Sequence, residues 1–122
     1  MKIRTFLMIA AMCSAASVYA HEVEKGPNGG RIADAGDFHV EVVAKSNVIE
    51  VYLSDSSDKP VAPVGFKGIA ILLIDGKQQR IALDQAGVDR LTGKTTGTPS
   101  ANVKGVVQLT TPQGTSVQAR FK

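Results

Sequence analysis

Four residues of this chain have the types and spacing that suit chemistry: His21, His39, Glu41 and Tyr52. Both histidines fall within HEVEKGPNGGRIADAGDFHVE, residues 21–41. A histidine at the start of a chain offers its α-amine and its ring Nδ1 to one metal as a chelate, and a second imidazole adds a third nitrogen. Three nitrogens without sulfur suit Cu(II) or Zn(II) and disfavour Cu(I). Glu41 and Tyr52 occupy strand positions on the same face as His39, so each is a candidate further or axial ligand, and Glu22 or Glu24 could close the arm over the metal. The plainer reading is that two histidines are ordinary abundance, and that a strand histidine facing a glutamate makes only a hydrogen bond.

The chelate requires His21 to be a chain terminus, and the first twenty residues have the form of a segment that is removed. Lys2 and Arg4 lead into an apolar run from Phe6 to Ala11, and small residues close the segment at Val18-Tyr19-Ala20. This is the order of a secretory signal peptide. Cleavage after Ala20 predicts an exported, periplasmic chain, residues 21–122, forming one domain. A lipid anchor on Cys13 is disfavoured by Met12, which stands where that processing wants a small residue. The longest later apolar run, Ile69 to Ile74, falls far below the roughly 20 residues needed to span a bilayer as a helix.

Cys13 and all three methionines leave with the signal, so the predicted mature chain has no sulfur and no disulfide. It has no thiolate ligand for a blue-copper electron carrier either. Removing Lys2 and Arg4 from the fourteen Lys and Arg leaves twelve against eleven Asp and Glu. That near balance, with basic residues scattered singly and few aromatics, offers no nucleic-acid footprint.

Other motifs resolve to bland readings. In LTGKTTG the preceding Gly87 stands one residue too far back for a P-loop. DSSD, residues 55–58, lacks the oxygens and the glycine of a calcium loop. No serine occupies a Gly-x-Ser-x-Gly turn, so no catalytic residue is assigned and no enzyme is expected. Nothing calls for an organic cofactor. GPNGG, residues 26–30, suits an anion cradle of backbone amides, but it suits equally a turn with positive φ, which is the preferred expectation.

The elements that position these residues are strands. Short runs rich in Val, Ile and Leu recur between Gly, Pro, Asn and Asp clusters, which predicts an all-β, antiparallel β-sandwich, immunoglobulin-like or cupredoxin-like, of about seven or eight strands. In DFHVEVV and VIEVYLS the apolar residues alternate. A hairpin through Lys45-Ser46-Asn47 that pairs Val42 with Val51 or Ile49 puts His39, Glu41, Glu50 and Tyr52 on one outer face. GIAILLI is apolar on both faces, with Ile71 and Leu73 assigned inward, and Asp75-Gly76 marks a tight turn.

Over nearly its whole mature length, in GPNGGRI…AGDFHVEVV…VIEVYLSD…GFKGIAILL…VQARF, the chain resembles a family of small exported β-sandwich proteins. The Gly-Gly…His-x-Glu-x-Val segment is also similar to N-terminal domains of periplasmic adaptor subunits of heavy-metal efflux systems. The resemblance implies periplasmic metal handling, with the histidine of the pattern at His39, its acidic partner at Glu41, and an efflux component as partner. The chain departs from the pattern at Asn28, where relatives often carry His. The expected role is binding of copper or another divalent metal in resistance or efflux. The alternative is a metal-free interaction module of a cell-envelope complex.

Overall fold

β-Branched and aliphatic residues between Gly, Asn and Asp turns build nine strands in the computed structural model, which describes residues 25–122. The predicted signal peptide and His21 lie outside the described residues. The strands are β1 (Arg31–Ala35), β2 (Phe38–Lys45), β3 (Val48–Asp55), β4 (Pro60–Val61), β5 (Lys67–Ile74), β6 (Lys77–Ala86), β7 (Arg90–Lys94), β8 (Gly105–Thr110) and β9 (Ser116–Phe121). All pairings are antiparallel. Hydrogen-bonded neighbours follow the order β1-β2-β3-β7-β6-β5-β8-β9, with β4 beside β3.

That order overturns the sandwich. A sandwich needs two separate sheets, whereas here β6 pairs through Lys77–Leu83 with β5 and through Asp84–Ala86 with β7. One ten-residue strand thus carries the ladder from one half to the other. At the far side β1 and β9 pack against each other without a ladder. Arg31 bridges that seam: its Nη1 donates to the Val103 carbonyl and its Nη2 to the Lys122 carbonyl at 2.9 Å, and its guanidinium lies over the Phe121 ring, 5.9 Å from the centroid. The architecture is a nearly closed barrel.

Local chemistry sets the hairpins. Val42 pairs with Val51, one of the two registers expected, and Lys45 with Val48 across Ser46-Asn47. Asp75 and Gly76 both take positive φ, 53° and 75°, which gives the turn whose twist suits a two-residue hairpin. Val40, Val42, Ile49 and Val51 point into the barrel and are fully buried with Leu72, Leu91, Val107 and Leu109. On β5 the inward set is Ala70, Leu72 and Ile74, so the expected Ile71 and Leu73 face outward, and Leu73 is 51% exposed. β7 includes Gly93, where a Cβ would collide with the side chain of Ile81 and the carbonyl of Ala82. The Gly-Lys-Thr sequence therefore lies at the end of a packed strand, not in a phosphate-binding loop.

Candidate functional site

Three of the four sequence-predicted site residues line one groove. The register that pairs Glu41 with Tyr52 and His39 with Ser54 sets all four side chains on the outer face of β2 and β3. The groove has a volume of about 610 Å³ and is also walled by Ile32, Leu53, Pro27 and Pro60, with Lys25, Asp58 and Asp89 at its rim. Three of the four predicted ligands meet there; His21 is outside the described residues.

Glu41 has another employment. It is only 4% exposed, because the Gly26–Gly30 turn folds over it. Its Oε1 accepts from Asn28 Nδ2 at 2.9 Å, and its Oε2 accepts from the backbone N–H of Asn28 at 3.0 Å and of Gly30 at 2.8 Å. The turn is thus an anion cradle whose anion is supplied by the chain itself. Gly26 and Gly30 are required by close approach, since a Cβ on the first would strike the Glu41 carboxylate and on the second the Val42 carbonyl. The sequence offered both halves of this arrangement, a turn rich in free amides and a strand carboxylate, but not the link between them.

Tyr52 is likewise engaged. Its hydroxyl donates to Glu50 Oε2 at 3.2 Å, and the Arg90 guanidinium lies over its ring, 5.3 Å from the centroid. Glu50, 5% exposed, also receives Arg90 Nη1 and has Lys45 Nζ 2.7 Å from its Oε1. Burial pushes the Glu50 carboxyl up, but hydrogen bonds from Lys45 and Arg90, and then their charges, outweigh it and hold the group below the usual range. Burial, followed by the Glu50 charge, raises the Tyr52 hydroxyl. Both effects keep the phenol protonated and the carboxylate ionised. Lys45 and Arg90 were not singled out from sequence, because a cross-strand cluster depends on the pairing of β3 with both β2 and β7.

A depressed carboxyl adds stability that is complete above its unfolded value, 4.5 for Glu50, and is lost as pH falls through the lower folded value. The stability gap between the native protein and Glu50→Gln should therefore be widest near neutral pH and shrink as pH falls below about 4.5. Urea midpoints across that range measure it, and a gap that stays constant would show that the ionised carboxylate contributes nothing.

His39 is the residue left open to chemistry. Its Nδ1 is 2.9 Å from Asp58 Oδ1 and its Nε2 is 3.4 Å from Asp34 Oδ1, with the ring about a third exposed at the groove mouth. Asp34 reaches it because β1 pairs Asp34 with His39. Asp58 reaches it from the loop after β3, where Asp55 Oδ1 accepts from the N–H groups of Ser57 at 2.8 Å and Lys59 at 3.0 Å, and Asp58 adopts φ 61°. Neither aspartate was identified from sequence, since β1 was not recognised as a strand and DSSD reads as a solvated loop. Among the described residues no group of three or more His, Cys, Asp and Glu side chains is arranged to hold a metal ion.

Comparison with known families, characterised proteins and solved structures finds no match to this chain.

Proposed function

We propose that this protein binds one divalent transition metal, copper(II) before zinc(II), on the outer face of β1, β2 and β3, as part of metal handling in the periplasm, and that it hands the metal to or takes it from an efflux component. The supporting observation is the His39 ring held between two carboxylates. In the tautomer that donates from Nδ1 to Asp58, the lone pair of Nε2 faces Asp34, the carboxylate–histidine arrangement that orients imidazole ligands toward a metal. Ligands bound at about 2.1 Å stand about 3.4 Å apart at the tetrahedral angle of zinc and about 3.0 Å apart at the right angle of a tetragonal Cu(II) site, so the Nε2 to Asp34 spacing of 3.4 Å fits zinc as it stands and copper after a small closure of the pair. Glu41 and Tyr52 line the groove but serve the turn and the Glu50 cluster, so the further donors in this reading are the amine and ring of His21. Lys25 borders the groove, and the four-residue step back to His21 can span up to about 14 Å.

Calorimetric Cu(II) titration tests this on protein starting at His21. One ion per chain is expected, with nitrogen-rich spectroscopic character. Adding one residue before His21 should weaken binding at least tenfold on the order of the loss of one ligand, and His39→Ala should do the same. Equal copper affinity in all three proteins would overturn the site. The mostly apolar walls contributed by Pro27, Ile32, Leu53 and Pro60 favour the second reading, a metal-free groove that seats a partner's side chains.

A further inference from the structure

The face of the barrel opposite in character to the groove is the outer side of β5, β6, β8 and β9. Cross-strand partners project to the same side of a sheet, so Arg80, Ile71, Val106 and Arg120 form one row across four strands, with Ile71 opposite Arg80 and Val106, and Val106 opposite Arg120. Ile69 extends the apolar centre on one side and Leu73, 51% exposed, on the other. Lys67 begins the same outward set on β5, and Lys104 lies beside Leu73, whose N–H donates to the Lys104 carbonyl at 2.9 Å. Four cations therefore ring four aliphatic side chains. No Asp or Glu occurs in β5, β8 or β9, or in β6 before Asp84, which belongs to the stretch paired with β7. Among the described residues none of the four cations pairs with a carboxylate.

We propose that this face docks on an anionic lipid surface, with Ile69, Ile71, Leu73 and Val106 against the acyl boundary and Lys67, Arg80, Lys104 and Arg120 on the phosphates. Charge complementarity selects the occupant. A second copy of the chain would bring two cationic rims together. A protein partner would anchor through aromatic side chains, but among the described residues this face carries none of its own, and the cleft beside Lys67 and Ile69 is lined by the polar Gln108, Thr110, Ser116 and Gln118. Strands about 4.8 Å apart put Arg80 and Arg120 roughly 14 Å from each other, so their long stems can reach headgroups on either side while the centre stays apolar. The proposal is independent of any metal at His39, which lies on the other half of the barrel.

Co-sedimentation of protein starting at His21 with phosphatidylglycerol–phosphatidylcholine vesicles tests it. Binding is expected at low salt, with release at high salt and none to phosphatidylcholine alone. Each cation near an anionic surface contributes about fivefold, so the double variant Arg80→Gln, Arg120→Gln should partition about 30-fold less. Leu73→Ser should lower partitioning several-fold, and an unchanged melting temperature in both would exclude misfolding as the cause. Failure to bind anionic vesicles, or equal binding by these variants, would overturn the proposal. So would retention on an acidic amphipathic peptide without binding to vesicles, which would identify a protein partner instead.

Discussion

Glu41→Ala is expected to destabilise the protein by about 2–4 kcal/mol, through the loss of the charge-assisted hydrogen bonds that hold the turn down. Truncation strands the N–H groups of Asn28 and Gly30 and the side-chain amide of Asn28, all of which now meet the carboxylate. The buried Gly30 donor left without an acceptor costs about 1–3 kcal/mol, while water can reach the part-exposed donors of Asn28. Glu41→Gln keeps one acceptor but turns an NH2 group toward donors, so its urea midpoint should fall between those of the native and alanine proteins. The measurement also separates two roles for one residue: a fully stable Glu41→Ala protein would mean that the carboxylate is not the anchor of the turn and is open to a ligand.

Leu72→Ala is expected to cost about 2–5 kcal/mol and Leu73→Ala less than about 0.5 kcal/mol. Leu72 is fully buried in the barrel, so its truncation leaves a cavity, whereas Leu73 stands half in solvent on the outer wall. Thermal unfolding of the two variants side by side reads the difference. Comparable losses would place β5 one residue out of register with respect to the core, since a single-residue slip exchanges the faces of a strand.

That pair also marks the boundary of what local sequence makes legible. In β2 and β3 polar residues alternate with Val40, Val42, Val51 and Leu53, and the phase, the hairpin register and the shared face of His39, Glu41 and Tyr52 follow from neighbours alone. From Ile69 to Ile74 every residue is apolar, and no local signal distinguishes the inner set from the outer. The choice between sandwich and barrel is less local still. It rests on β6 changing partners after Leu83 and on Arg31 spanning the seam to Val103 and Lys122, contacts that join segments 72 and 91 positions apart. The groove divides in the same way. His39 was visible by type and position, but Asp34 depends on the register of β1, and Asp58 on a backbone turn with positive φ that Asp55 stabilises from within the loop.

The sharing of β6 also constrains how the groove can respond to whatever enters it. Two stacked sheets can slide or splay, but here both halves hang from one strand, and shifting either would break the ladder of β6 with β5 or with β7. The floor under His39, Glu41 and Tyr52 is therefore fixed, without a hinge. Adjustment to an occupant falls to three loops at the rim, the turn over Glu41, the segment carrying Asp58, and the bend before Asp89. Of these the first is tied down by a buried carboxylate. The other two bring the carboxylates of Asp58 and Asp89 into the lining, so changing their length or charge would change what the groove admits without disturbing the scaffold.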